Sequence, residues 1–548
     1  MRIRRGLISW IFAGSMLGSS PRPAVAEEQV VNEGYGALVG LFAEWRAFER
    51  PPQRDGAPDY TAATFERRHG GLKTLQARLR AIDPSSWPIA QQVDYRLVLA
   101  EMNGLDFYFR VLKPWARDPA FYKSVYTEQS DTPAHEGPTH HAAVELWMYS
   151  FPLDARSEEH LAAELRGIPP LLAQARGNLT GNARDLWITG TGTMRQQIND
   201  LEDLDRRVPE AATELKAAIR AAVAATNGFA EWLTEQAPSK NGPSGIGREN
   251  YTWSLRNVHL VPMTWEDEVD LLERELARAH ASLRLEEHRN RGLPPLSVAA
   301  DAADYQRRAE DAVTRYIAFL KSRDILAVRN YLDPALRAHL GKFQPEATRD
   351  FFDMATHREP MTLYTHMYHW FDLARMREEP HPSAIRRGAL LYNIWDSRAE
   401  GMATGMEEMM LHAGLYDDNP RAREIVWIML AQRAARGLAS LRAQDNQYTL
   451  KQAKDFQVQW TPRGWMRPDL DLLGFEQQLY LRQPGYGTSY VTGKYLLERL
   501  LTDRSAQLGD AFTLRRWFDE VDAAGVIPVE LIRWELTGIG NDLPAVAD

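Results

Sequence analysis

The sequence predicts an all-α protein, a large multi-helix assembly, on three observations. Apolar residues recur at spacings of three and four through most of the chain, strand-like alternation is scarce, and cap and stop signals bracket the longest periodic run. From Trp265 to Arg289, residues Val269, Leu272, Leu276, Ala279 and Leu283 fall on one face with charges between them. Thr264 is a natural N-cap with Asp267 three residues on, and Arg289-Asn-Arg-Gly292 followed by Pro294 supplies the stop. The same period predicts helices at about 59–82, 87–112, 157–177, 208–236, 301–322, 386–415, 420–443, 449–456, 487–503 and 511–524. No repeat of fixed period appears. The loop Asn241–Gly247, NGPSGIG, divides the expectation into an N-terminal helical region, 27–240, and a C-terminal one, 241–548, that carries the chemistry.

The 548 residues, 44% hydrophobic and 25% charged, are enough for one extended core or several domains. Zero cysteines exclude disulfides, iron–sulfur clusters, thiolate zinc sites and cysteine nucleophiles. The net charge of −9 argues against a general nucleic-acid binder. At the start, MRIRR is a basic head, residues 6–18 are apolar, and Pro23-Ala-Val-Ala26 ends in A-x-A, the order of a secretory signal peptide cleaved before Glu27. The alternative, an uncleaved anchor, is disfavoured because the apolar run falls short of the roughly 20 residues that span a bilayer. Cleavage would remove four arginines and no acid, taking the charge to −13, and no later cysteine is present for a lipid. The expected location is therefore outside the cytoplasm, most simply a bacterial periplasm, with no membrane attachment after cleavage.

Six of the 14 histidines lie between His339 and His412. His366 and His369 are three apart in a stretch, THMYHWFDLARM, without Pro or Gly, so a helix there puts both imidazoles on one face. Two neutral imidazoles plus a carboxylate from another helix is a common way to hold a divalent ion, and two core histidines bonded to backbone or carboxylates is the plainer reading. Glu400 and Glu407 are two helical turns apart in EGMATGMEE, where Gly401, Ala403 and Gly405 admit a close neighbour. The methionines around them favour burial of at least one acid over a solvated acidic face. Gln483–Tyr495, QPGYGTSYVTGKY, sets a turn before a helix and gathers hydroxyls, fit either to donate to an oxyanion or to cap and plug a junction. His135-Glu136-Gly-Pro-Thr-His140-His141 carries two further histidine positions, but Gly137-Pro138 bars the single helix that H-E-x-x-H chemistry uses, so a loop beside a substrate is expected, with Asp131 and Glu136 as further ligand sources.

Taken in order, these segments resemble the bacterial family named domain of unknown function 885, whose members are similar to helical zinc metallopeptidases of the gluzincin kind. The family's G-x-E-x-Y element resembles Gly247-Arg-Glu249-Asn-Tyr251, and its E-G-W-A-x-Y-x-E element resembles Glu400 to Glu407. Its E-x-x-R-Y-x-x-x-P-G-Q-A-x-S-Y-x-x-G element resembles Glu476, Tyr480, Pro484, Gly485, Ser489, Tyr490 and Gly493, and its closing pattern resembles Phe512 to Asp519 and Gly525 to Val529. The resemblance implies a gluzincin- or neurolysin-like helical architecture with a central cleft. The family's H-E-x-x-P-G-H motif is degraded: Tyr364-Thr-His366-Met-Tyr-His369 stands in its place, with Met367 where the general-base glutamate belongs. Phe518, Leu479 and Tyr486 replace a late histidine, an arginine and a glutamine of the family pattern.

The leading expectation is an exported metal-dependent hydrolase acting on a peptide or amide-like substrate. His366, His369 and Glu400 would bind a divalent metal, zinc first. Asp372 or Glu407 would replace the lost base, Tyr486 or Tyr490 would donate to the oxyanion, and His135 and His141 would lie near the substrate. The alternative is a lyase or other acid–base enzyme acting on a small, aromatic molecule, with Arg386, Arg387 and Arg398 holding a carboxylate. A further alternative is an inactive binding protein. The partner is a small molecule or peptide, not nucleic acid, and the sequence leaves the oligomeric state open.

Overall fold

The computed structural model describes residues 33–132, 140–392 and 396–543. The expected signal peptide, 1–26, and His135 and Glu136 lie outside the described residues. Among the described residues the chain is helical from Glu33 to Thr537, with two pairs of two-residue strands as the β structure. No helix of the described residues is long and apolar enough to cross a membrane.

The helix at Trp265–Arg289 forms as its signals require: Thr264 and Asp267 close a capping box, three acids occupy the first turn, and His288 and Arg289 stand in the last. Its apolar stripe, Leu272, Leu276, Ala279 and Leu283, packs on Ala422–Gln444, the central helix of the C-terminal half. That central helix is buried on nearly every face, so it lacks the one-sided pattern of a surface helix. Tyr486–Leu508 packs on it in turn, and Gly401–His412 packs on Tyr486–Leu508.

Glycines set how closely these helices meet. A Cβ on Gly401 would lie 2.5 Å from Gly493 Cα and 2.8 Å from Lys494 N, and one on Gly493 would strike the Ser397 carbonyl oxygen. Backbone thus touches backbone where the two helices cross, immediately beside Glu400. Gly437 and Gly487 make a second close approach between the central helix and Tyr486–Leu508.

Several periodic runs divide. The segment expected at 157–177 is two helices, Ala155–Leu165 and Ile168–Asn178, the second begun by Pro169 and Pro170 in its first turn. The run expected at 386–415 is α-helical only from Gly401 to His412, after a π-turn at Asp396–Glu400. Its first part is not helical because Glu101 accepts from the Leu391 and Tyr392 backbone N–H groups, both at 2.8 Å. The stretch around His366 and His369 is likewise two pieces: Met361–Tyr364 ends, a turn follows, and Tyr368–Glu378 begins, so His366 sits in the turn rather than on a shared helical face. The loop 241–247 is tied to the C-terminal half, with Gly245 N donating to Asn446 and Gly247 N to the Gln444 carbonyl. One contiguous apolar core runs from Leu38 to Ile532 through both halves.

Gly493→Ala is expected to destabilise the fold by about 1–3 kcal/mol through overpacking at the crossing. Gly405→Ala, where the nearest atom to the new Cβ is the flexible end of Met409 at 3.7 Å, should be neutral or stabilising. Urea unfolding midpoints of the two variants check the contrast, and equal losses would reject this account.

Candidate functional site

A cavity of about 740 Å³ opens between residues 128–131 of the N-terminal half, the loop 338–344, and the helices that follow. His366, His369, Glu400, Arg436, Tyr486 and Tyr490 are on its wall. His369 is carried in the first turn of Tyr368–Glu378, Glu400 ends the π-turn at the glycine crossing, and both tyrosines come from the first turns of Tyr486–Leu508. Gly485, at φ 92°, is the left-handed residue that lets the chain turn into that last helix.

His369 and Glu400 are each about 2% exposed, and His366 is 13% exposed. Glu400 Oε1 accepts a 2.6 Å hydrogen bond from the Tyr486 hydroxyl. Its other oxygen, Oε2, lies 3.2 Å from His369 Nε2 and 3.8 Å from His366 Nε2. Neither Glu400 Oε2 nor His369 Nε2 has an aligned hydrogen-bond partner, although both are buried. Two ligands of a tetrahedral zinc at about 2.0–2.1 Å are about 3.3 Å apart, so the orphaned pair has the separation of two corners around one cation. The nearest ligand atoms of the three residues all lie within 4.8 Å of one another. Two imidazoles and a carboxylate therefore fit a divalent cation in donor type, spacing and unmet bonding capacity.

The electrostatics agree with that fit. Burial and the Arg433 guanidinium hold His366 well below the ordinary histidine range, so its ring is neutral and keeps a lone pair. Burial opposes a charge on His369, but the Glu400 and Asp131 carboxylates outweigh it and push the group up to about 9. Burial also opposes charge on Glu400, and the His369 charge with the Tyr486 hydrogen bond brings it below the usual carboxylate range. A cation entering here would displace the His369 proton.

Behind the metal-fitting trio stands a second layer. Glu407 Oε1 is 3.1 Å from His366 Nδ1, and Arg433 donates to Glu407 Oε2 at 3.0 Å with its Nη2 2.6 Å from Oε1. His366 Nδ1 also lies 3.1 Å from Arg433 Nη2, so the ring is held from behind by the Glu407–Arg433 pair while its Nε2 faces Glu400 Oε2 at 3.8 Å. Burial raises Glu407 to about 8 despite the two arginines beside it. Glu407 is not on the cavity wall, so it positions His366 rather than meeting a substrate.

Other sequence-predicted residues are drawn elsewhere. Asp372 accepts from Arg375 at 2.7 Å and Arg398 at 3.0 Å, and Arg398 also reaches Asp522, a buried cluster off the cavity. Neither is available as a base or a substrate anchor. Arg386 is locked to Asp94 at 2.6 Å and Glu535 at 2.7 Å and is not on the cavity wall. His141 bonds Glu49 at 2.9 Å and is not on the wall. In each case a buried or half-buried guanidinium or imidazole group is paired with a carboxylate within the fold.

Asp131, Arg436 and Glu476 are among the wall residues that were not assigned to the site in the sequence. Asp131, read in the sequence as a further ligand source beside His135–His141, stands close enough to His369 and Glu400 to feel their charges, and burial raises its carboxyl above the usual range. Arg436 lies one helical turn beyond Arg433 in the central helix, a pairing visible in IMLAQRAARG. Its Nη1 donates to Glu476 at 2.7 Å, and Glu476 also accepts from Gln432 and Gln457. Met367, in the place of the motif glutamate, is an apolar wall residue.

A family model described as "Bacterial protein of unknown function (DUF885)" matches residues 44–306 and 347–536. Two solved structures are similar in fold. One is a "putative lipoprotein of unknown function" from Shewanella oneidensis, 15% identical with a TM-score of 0.67, covering 91% of this chain and 98% of its own. The other is a "putative lipoprotein" from Colwellia psychrerythraea, 13% identical with a TM-score of 0.66, covering 92% and 99%. No curated protein matches the sequence.

Replacing Glu476 with Leu is expected to cost about 3–5 kcal/mol, because it strands the buried Arg436 charge and two glutamine amides. Denaturant unfolding measures this, and a loss below 1 kcal/mol would mean that Arg436 is not held by that carboxylate.

Proposed function

The chain belongs to the DUF885 family of bacterial proteins, and on that premise we propose that its cavity is the site of a metal-dependent hydrolase acting on a peptide or amide-like bond. The observation that carries the reading is the buried pair His369 Nε2 and Glu400 Oε2, 3.2 Å apart without an aligned hydrogen bond, with His366 Nε2 3.8 Å from the same oxygen. A divalent cation, zinc first, would be held by His366, His369 and Glu400 and would supply Lewis acidity to a substrate carbonyl.

The chain's own residues take the remaining parts. Glu407 and Arg433 fix the His366 ring, and the Tyr486 hydroxyl occupies one Glu400 oxygen so that the other is left for the cation. Asp131, the carboxylate on the opposite wall, takes the proton of the attacking water and returns it to the leaving amine. Tyr490, whose phenol burial holds well above its ordinary range, stays protonated and donates to the oxygen that gains charge. The lipoprotein descriptions of both structural neighbours, with the basic and apolar leader of this sequence, support an exported location.

A second reading, a metal-free acid–base enzyme, draws on one observation: without a cation, His369 is an imidazolium at neutral pH beside an ionised Glu400. It predicts activity that survives chelation.

Elemental analysis of purified protein should find about one equivalent of metal per chain, recoverable with zinc after chelation and lost in His369→Ala. A trace that zinc does not restore would sink the metal reading. Once a substrate is found, Asp131→Asn should lower kcat about 10²–10⁴-fold with metal content unchanged. An unchanged kcat would remove Asp131 from the mechanism.

A further inference from the structure

Arg436 is almost wholly buried, yet it is on the cavity wall. Among the described residues its guanidinium makes one hydrogen bond, through Nη1 to Glu476, and its Nε is a buried donor without a partner. The group sits over the Tyr490 ring, with Cζ 3.8 Å from the centroid, so ring and Glu476 together hold it in place before any ligand arrives. Tyr490 also lies parallel to the His366 ring at 6.2 Å, which puts the guanidinium one residue away from the metal-fitting trio. Arg436 is close enough to Glu400 and His366 to bias the charge of both.

The bonding around it points the same way. Glu476, the carboxylate that Arg436 bonds, also accepts from Gln432 and Gln457, and Glu400 is held by the Tyr486 hydroxyl. A planar cation with unused donors on a cavity wall is matched by a planar anion, for which guanidinium–carboxylate pairing is the best geometric fit. Beside it, Phe352, Met367, Trp370, Leu472, Phe475 and Leu479 make an apolar wall, with Trp370 stacked on His339 at 3.2 Å between ring centroids.

We propose that Arg436 is the anchor for a free carboxylate of the substrate. The ligands of this cavity are then small acyl-amino acids or short peptides whose terminal residue has an apolar or aromatic side chain. The proposal rests on the hydrolase reading only for the bond that is cut. Carboxylate recognition by Arg436 stands without it. The Arg–Glu pair at 436 and 476 is accordingly a binding device that also stabilises the fold, with Glu476 holding one edge of the guanidinium and leaving the rest for the ligand.

The test compares N-acetyl-L-phenylalanine with its C-terminal amide, by calorimetry, on the protein as purified and after chelation. The free acid should bind at least about tenfold more tightly than the amide in both preparations. Arg436→Met should reduce that ratio to about one. Because this variant breaks a buried ion pair and risks misfolding, Arg436→Lys is measured beside it. It keeps the charge but loses the planar fork, and its ratio should fall below that of the unmodified protein. Equal binding of acid and amide, no binding of either at millimolar concentration, or an unchanged ratio in Arg436→Lys overturns the proposal. A preference that appears only with metal present and persists in Arg436→Met assigns the carboxylate to the cation and overturns it as well. Absence of metal with the acid preference intact would reject the hydrolase reading and leave the Arg436 assignment standing.

Discussion

The contact between Gly401 and Gly493, backbone against backbone, is the constraint on which the site depends. Two helices can cross at that distance only where neither has a side chain. The crossing brings the end of the 396–400 turn against the helix that starts at Tyr486, and so delivers Glu400 to the Tyr486 hydroxyl. The Gly437–Gly487 approach does the same for the central helix, bringing Arg433 and Arg436 against the tyrosines. Removing water from this junction makes each misplaced charge expensive, which explains why every carboxylate there is held by a defined donor or stands within reach of a histidine.

Much of the fold could be read in the sequence because the helices advertise themselves locally. Trp265–Arg289 begins and ends where its cap, charge and proline signals put it. Helices that lie outside that rule were harder to see. Arg184–Arg207 contains Gly190 and Gly192 and several threonines, so its period is diluted, and Asp471–Arg482 is short and polar on two sides. At 386–392 the period was present but a distant side chain, Glu101, claimed the backbone donors, and no local signal carries that information.

The site was legible to the same extent. His366, His369 and Glu400 converge because the turn at 365–367 compensates for the helix that the sequence led one to expect: the rings meet at 5.3 Å between centroids and 77° to each other, not side by side on one face. The structure places the arginines differently from their sequence neighbourhood. Arg386 and Arg398 are near the histidines in sequence, but their partners Asp94 and Asp522 come from distant helices. Arg433 and Arg436 sit in the middle of an apolar run, where charged residues are uncommon unless they are paired, and that contrast was the signal available to find them.

The cavity wall joins residues 128–131 to residues 338–490, with more than two hundred positions between Asp131 and His366. Such a pocket has consequences for when the protein acquires it. Local helices form early and independently, whereas contacts of this sequence separation come after the costly closure of long loops. The imidazoles and Glu400 come from C-terminal elements, but the enclosure exists only once residues 128–131 have closed over them. Completion of the cavity is thereby postponed to the final steps of folding, and a chain halted during synthesis or cut between its halves has these side chains without the chamber.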